Sequence, residues 1–231
     1  MLQAYSDSEL LRTLANIDIS VPTRSESRTK EYKERYSTAY LLSTLAEKGV
    51  LSYPLSLVKR ERPDFLLTLG TERIGIEHTE AVLQNEAHKM GLREKGYGPN
   101  IYFYSRHQPG ELRKSKKELI EEIEANHAGD GWTDNSVEID WAGVMFHSIE
   151  QKVIKLLKVG FERFDQDWLL IYDNWSLPRV DRKKASTFLN EYAAKSNALY
   201  EFARIYIITG QYLCEVDAPI VKLFGINDWW N

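Results

Sequence analysis

Two acidic residues occupy neighbouring strands of a predicted β-hairpin. Asp64 precedes one apolar run, Glu77 lies inside the next, and residues 70–72 form the turn between the two runs. Adjacent strands lie about 4.8 Å apart, so carboxylates on neighbouring strands can hold one divalent cation. Two buried like charges are costly unless a positive charge compensates them. The spacing therefore predicts a metal site formed by Asp64 and Glu77. The alternative is that Asp64 caps a strand and Glu77 pairs with a basic neighbour.

The same residues carry a resemblance to a known family. Pro63 and Asp64 are followed by Glu77, His78 and Thr79, a pattern that resembles the PD-(D/E)XK nuclease superfamily. The order of elements around them (helix, strand, hairpin, helix) extends the likeness over residues 1–90. Thr79 departs from the pattern, because the family has lysine at this position.

The resemblance implies a hydrolase, a metal-dependent endonuclease that cleaves phosphodiester bonds in DNA rather than RNA. Mg²⁺ is the expected cofactor, with Mn²⁺ as a substitute, and Asp64 and Glu77 are the expected ligands. The hydroxyl of Thr79 would position water. The resemblance also implies nucleic acid as the partner and a homodimer that cuts both strands. The alternative is a catalytically inactive nuclease-like scaffold that binds a protein or a nucleic acid, and Thr79 is its best support.

A third acidic residue is expected from the helix predicted over residues 30–48. Glu34 shares one face of that helix with Leu41 and Leu45, so its carboxylate can point inward towards a metal. The family often supplies a third acid from this helix. Two alternatives remain open: Glu34 is solvated at the rim of the apolar stripe, or Glu31 takes its place.

A cation should replace the missing lysine. The helix predicted over residues 142–159 carries Lys152, Lys155 and Lys158, and Lys152 lies on the inward flank beside Ile149. We therefore expect Lys152 to reach Asp64 and Glu77 and to stabilise the transition state. The alternative is that the three lysines form a solvated helix face. Lys89, on the helix after the hairpin, is a second candidate.

Basic residues next to Asp64 are candidates for binding a phosphate backbone. Lys59, Arg60 and Arg62 precede the proposed metal site directly. Two other basic runs, at residues 113–117 and 182–184, are interpreted as solvated surface. The net charge of −4 means that contact with nucleic acid must come from such local patches.

The remaining composition favours a cytoplasmic protein. Cys214 is the single cysteine, so no intrachain disulfide can form, which fits a reducing compartment. The first residues lack the pattern of a signal peptide, and no apolar stretch has the length needed to cross a membrane. The five histidines lack zinc-like spacing.

Strands and helices intermix along the chain, which predicts an α/β fold with a central mixed β-sheet and helices on both faces. We expect one nuclease-like domain over residues 1–231, with 1–27 as an N-terminal helical appendage. The elements predicted outside the hairpin are helices at 6–16, 30–48, 80–90, 115–126, 142–159 and 181–197, and strands at 50–58, 101–104, 168–172 and 204–208.

Overall fold

A computed structural model describes residues 1–26, 28–129, 131–158, 160, 162–196, 201–217 and 220–230. Within these ranges the chain forms six helices and eight strands. The helices are α1 (Asp7–Ala15), α2 (Lys30–Glu47), α3 (Gln84–Glu94), α4 (Lys116–Ala125), α5 (Ser136–Leu156) and α6 (Arg182–Ala194). The strands are β1 (Leu2–Ala4), β2 (Leu55–Lys59), β3 (Phe65–Leu69), β4 (Glu72–Ala81), β5 (Gln166–Asp173), β6 (Arg204–Thr209), β7 (Tyr212–Asp217) and β8 (Ile220–Gly225).

The strands form one mixed sheet in which spatial order follows chain order from β1 to β8. β4 pairs with β5, and β5 with β6, in parallel, while the other neighbouring strands pair antiparallel. Parallel neighbours need a long crossover connection. The crossover from β4 to β5 contains α3, α4 and α5, which brings the end of α5 back to the sheet beside β4. The prediction of an α/β fold with a central mixed sheet is confirmed.

Two apolar clusters hold the sheet to the helices. In β5, Trp168 and Leu170 pack in a cluster that includes residues of α1 and α2. The alternate residues Leu169 and Ile171 pack in a second cluster that includes residues of α5 and α6. Successive side chains of a strand point to opposite faces, so the unbroken apolar sequence of β5 reflects burial on both sides.

The hairpin of β3 and β4 sets the positions of the two acids. Its two-residue turn begins with Gly70, whose φ of +61° is a conformation that glycine adopts without steric cost. Phe65 pairs with Ile76, so the next position outward places Asp64 opposite Glu77. The register of the hairpin therefore accounts for a spacing of thirteen residues between the acids.

Two helices carry the other candidate residues. α2 ends at Glu47, and Gly49, two residues further on, has a φ of +63° that is typical of a residue just after a helix. Glu34 and Leu41 of α2 are buried and face inward as expected. α5 begins at Ser136, earlier than the predicted 142, and has 21 residues. A helix of this length spans about 32 Å at 1.5 Å per residue. The length of α5 therefore brings Lys152, which lies near the C-terminal end of the helix, to Glu77 of β4.

Several predicted elements differ from the structure. Residues 101–104 were expected to form a strand but are irregular and exposed, because no neighbouring strand pairs with them. The strand predicted at 50–58 begins only at Leu55, after Pro54, which has no N–H to donate to a ladder. Positions 159 and 197, the predicted ends of two helices, lie outside the described residues. No helix in the described part of the chain combines the length and apolar character that crossing a bilayer requires.

Candidate active site

Asp64 and Glu77 meet at the ammonium group of Lys152. Lys152 Nζ lies 2.8 Å from Glu77 Oε2 and 3.9 Å from Asp64 Oδ2. The exposed fraction of the side chain is 5% for Asp64, 13% for Glu77 and 9% for Lys152. Lys152 thus makes the contact expected of it, and the alternative of a fully solvated lysine face is wrong for this residue. Its catalytic role stays a prediction.

Asp64 is held in place from the strand beside it and from α2. The backbone N–H of His78 donates to Asp64 Oδ2 at 2.7 Å, and Lys30 donates to Asp64 Oδ1. Burial opposes the charge of Lys30, but its hydrogen bonds to Asp64 and Glu34 outweigh that effect and raise its pKa. Lys30 therefore remains charged and supplies positive charge to a carboxylate that is almost out of contact with water.

His78 links Asp64 to α2 through a neutral ring. The Oγ of Ser37 donates its proton to the carbonyl of Lys33 at 2.8 Å, so it accepts from His78 Nε2–H at 3.1 Å. Burial lowers the pKa of His78 to about 3, with the neighbouring lysines 152, 30 and 33 acting in the same direction and Asp64 opposing them. The imidazole is therefore neutral at pH 7 and serves to fix the position of β4 against α2.

Glu34 is a third carboxylate near the site and, like Asp64, pairs with Lys30. Its Oε1 lies 3.0 Å from Lys30 Nζ and its Oε2 lies 3.5 Å from Lys59 Nζ. The residue is 2% exposed, so the alternative that it is solvated at a rim is wrong. Glu34 is therefore a buried carboxylate whose two oxygens pair with two different lysines. Glu31 is exposed and pairs with Lys59.

Thr79 lies on β4 two residues after Glu77 and is half-buried. Alternation along the strand gives it the same face as Glu77, whereas Ile76 and His78 contact the side of α2. This agrees with the alternation expected from the sequence. The role of its hydroxyl in positioning water stays a prediction.

A cavity of about 360 Å³ opens beside the two acids. Basic side chains dominate its lining, including Lys155 from the last turn of α5 and Lys158 just after the helix. The other lining residues are Lys30, Glu61, Arg62, Asp64, Glu77, Lys152 and Gly160. A polyanion that entered this space would meet positive charge next to the carboxylates.

The three basic residues proposed to bind nucleic acid do not share one surface. Arg62 is exposed and lines the cavity. Lys59 contacts the acids of α2 instead. Arg60 lies 2.8 Å from Glu162 and stacks over the ring of Phe164. Of the three side chains, only that of Arg62 therefore lines the cavity beside Asp64.

Lys89, the second candidate for the missing cation, lies elsewhere. It is 2% exposed on α3, donates to Ser105 and lies 3.5 Å from Glu122. These contacts belong to the packing of α3 against α4. Lys152 is therefore the better placed of the two candidates.

The donor set fits a single hard cation better than it fits a closed metal cage. Mg²⁺ is commonly held by one or two carboxylates while it keeps several waters, and Asp64 and Glu77 provide two. Within the described ranges, no three His, Cys, Asp or Glu side chains are arranged to bind a metal by themselves. Lys30 and Lys152 already offset the charge of these carboxylates, so a bound cation would compete with them.

Lys30 is the member of the site that was not expected. Its spacing of four residues from Glu34 on α2 is a pattern that favours an ion pair on a helix and was visible in the sequence. Its contact with Asp64 depends on the packing of α2 against the hairpin, which the spacing alone does not reveal.

No protein-family model matches the chain, and neither the curated proteins nor the solved structures contain a match. Function is therefore inferred from the site itself.

Proposed function

We propose that this protein is a metal-dependent nuclease of the PD-(D/E)XK type that hydrolyses phosphodiester bonds, with DNA preferred over RNA. One observation carries the proposal: a lysine from α5 contacts both acids of the hairpin. Lys152 thereby supplies an ammonium group at the acid pair. The sequence motif has a lysine two residues after the glutamate, where this chain has Thr79.

The arrangement of elements supports the same proposal. α2, β2, the hairpin and α3 follow one another in the order that the resemblance implies. The two apolar clusters join the sheet to α1 and α2 in one case and to α5 and α6 in the other. We infer from them a sandwich with helices on both faces of the sheet. Asp64 and Glu77 then lie between the two helices that carry Lys30 and Lys152.

Each residue of the site has a proposed role. Asp64 and Glu77 would hold Mg²⁺, which when bound polarises an attacking water and offsets negative charge on the phosphate. Lys152 would stabilise the charge that develops on the phosphate oxygens during cleavage. Lys30 positions Asp64 from α2, and Glu34, which pairs with Lys30 and Lys59, would be a further acceptor for a cation or its waters.

The cavity suggests how nucleic acid would reach these groups. Arg62, Lys155 and Lys158 line it and have few acidic partners among the described contacts, so they can bind phosphates by charge. Such contacts position a backbone without reading its sequence. The nucleic-acid contact is therefore assigned to Arg62 together with the end of α5.

The second candidate is a nuclease-like scaffold that binds without cleaving. Two features favour it: Thr79 in place of a lysine, and lysines that already balance the charge of the acids. Such a protein would use the same cavity to bind a nucleic acid or a partner protein.

Cleavage of labelled DNA and RNA would separate the two candidates. We expect purified protein to cut DNA with Mg²⁺ or Mn²⁺ and to stop when EDTA is added. Binding without cleavage under any divalent ion would identify the scaffold.

A further inference from the structure

A second group of charges lies on the same strand as Glu77. Glu80 is three residues further on, near the carboxyl end of β4. Its carboxylate lies 3.0 Å from Arg24 Nη2, 3.4 Å from Arg28 Nη2 and 2.7 Å from Lys33 Nζ. Asn174, directly after β5, donates to it at 2.5 Å. We refer to Arg24, Arg28 and Lys33 as the basic cluster.

The basic cluster carries more positive charge than its acid can balance. Among the described residues, Glu80 is the only ion-pair partner of all three cations. Burial tends to raise the pKa of Glu80, but hydrogen bonds from Lys33 and Asn174 and the charge of Arg24 outweigh it and lower that pKa. Glu80 is therefore ionised at neutral pH, and the group retains an excess of two positive charges.

Donors of the basic cluster also remain unused. The Nε atoms of Arg24 and Arg28 are buried and make no hydrogen bond within the described chain. A buried donor without a partner is destabilising. The planar guanidinium group suits the oxygen atoms of phosphate, which can accept two such donors at once. An anion with several acceptor oxygens would satisfy both the charge and the donors.

The position of the basic cluster connects it to the candidate active site. α2 contributes Lys30 to Asp64 and, one turn later, Lys33 to Glu80. Glu80 lies three residues after Glu77 on β4 and, by the alternation of the strand, faces α2 rather than α5. Lys30, which lines the cavity, therefore connects the two groups through α2. The carboxyl ends of parallel strands are also where ligands of α/β sheets commonly bind.

We propose that Arg24, Arg28 and Lys33 bind a backbone phosphate of the nucleic acid whose scissile bond lies at Asp64 and Glu77. The proposal rests on the nuclease function in its choice of ligand. The basic cluster would thus bind the nucleic acid outside the cavity, on the α2 side of β4.

Inorganic phosphate tests the site without any need for cleavage. At constant ionic strength, phosphate should raise the Tm of the wild-type protein, because a ligand that binds the folded state stabilises it. Arg28→Gln should abolish this shift, Arg28→Lys should keep part of it, and Glu80→Gln should bind phosphate more tightly because a repelling charge is gone. The control is Lys183→Gln. Lys183 is an exposed basic residue of α6, so this variant has the same change in net charge and should behave as wild type.

Binding of labelled DNA in EDTA identifies the source of the phosphate. Arg28→Gln removes one cation from the phosphate backbone, so the slope of log affinity against log salt should become shallower by about 0.9. Lys183→Gln should leave the slope unchanged.

A shallower slope in a protein that never cleaves would uphold this site and reject the nuclease. A phosphate-dependent Tm shift with an unchanged DNA slope would overturn the assignment to nucleic acid in favour of free phosphate. If neither readout responds to Arg28→Gln, the basic cluster is a structural latch and the proposal fails.

Discussion

Lys152 and Glu77 are 75 residues apart in the chain, yet Lys152 Nζ donates to Glu77 Oε2 at 2.8 Å. The contact joins the last turn and a half of α5 to the middle of β4. Because both side chains are nearly buried, neither charge would be stable there without the other. The crossover between parallel strands therefore returns an ammonium group to the acid pair.

Glu77→Gln should lower DNA cleavage by orders of magnitude. The amide keeps the shape of the side chain but removes the charge that would hold a divalent cation. Cleavage of labelled DNA at several Mg²⁺ concentrations measures the effect, and the variant should show no recovery at high Mg²⁺.

The matched control for this change is Glu121→Gln. Glu121 is an exposed residue of α4 whose side chain is 62% accessible, so the same change in charge should leave cleavage unaltered. Equal cleavage by Glu77→Gln and wild type, with both proteins folded, would assign the activity to another site or to a contaminant.

Lys152→Met should reduce turnover by about 10²–10³-fold, the usual cost of removing a group that stabilises transition-state charge. Methionine keeps much of the apolar stem, but Glu77 then lacks a positive neighbour and Asp64 keeps only Lys30. The Tm without metal should therefore fall, and added Mg²⁺ should raise it by more than in wild type. Calorimetry or thermal melting provides this second readout, which does not depend on activity.

Lys183→Met is the control for the removal of a lysine charge. It lies on an exposed part of α6 and should affect neither the melting response to Mg²⁺ nor turnover. An unchanged turnover in Lys152→Met would mean that Lys152 has only a structural role.

Thr79→Lys separates the enzyme from the inactive scaffold. In an active wild-type protein the new ammonium would crowd Lys152 on the same face and should weaken Mg²⁺ binding, because like charges repel. In a silent wild-type protein it should instead create Mg²⁺-dependent cleavage by restoring the lysine of the motif. Cleavage assays on the two proteins side by side distinguish these results.

His78 should make the protein less stable in acid. Its pKa is about 3 in the folded state and about 6.5 when unfolded. Between these values the unfolded state binds the extra proton, so stability is complete above pH 6.5 and declines as the pH falls towards 3. The free energy of unfolding should change by at most about 1.4 kcal/mol per pH unit from this residue. Denaturant melts from pH 4 to pH 8 would measure the slope.

His78→Gln should remove that part of the slope, since an amide does not titrate. His127→Gln is the control, because His127 is exposed and its replacement should leave the slope unchanged. Identical slopes in wild type and His78→Gln would show that the ring is not held neutral by its surroundings.

The hairpin and its acids could be predicted from sequence because their information is local. Apolar runs, a glycine turn and a fixed spacing determine the register of Asp64 and Glu77. The inward flank of α5 likewise identified Lys152. The short β1 and the edge strand β8 gave no such signal, since β1 has three residues and β8 is largely exposed along its length.

The burial of Glu34 and the role of Lys30 could not be derived in the same way. Both depend on how α2 packs against the hairpin, where Lys30 reaches acids on two different elements. The basic cluster at Glu80 combines residues 24, 28 and 33 with β4 and is equally non-local. Ion pairs between residues far apart in the sequence cannot be predicted from the spacing of those residues along the chain.

Gly75→Ala should both destabilise the protein and impair the site. A Cβ at this position of β4 would lie 2.7 Å from Phe164 Cδ2, 3.0 Å from Asp167 Oδ1 and 3.1 Å from Pro63 Cγ. Crowding of this kind costs about 1–3 kcal/mol in a packed interior, and denaturant melts would measure it. The ring of Pro63 is rigid and precedes Asp64, so relief of the contact should displace Asp64 from Glu77. Cleavage should therefore fall further than the decrease in folded protein explains.

Gly143→Ala is the control, because a Cβ there meets nothing within 4 Å and alanine favours the helix α5. Full cleavage by folded Gly75→Ala would show that the approach of Pro63 to β4 does not set the position of Asp64.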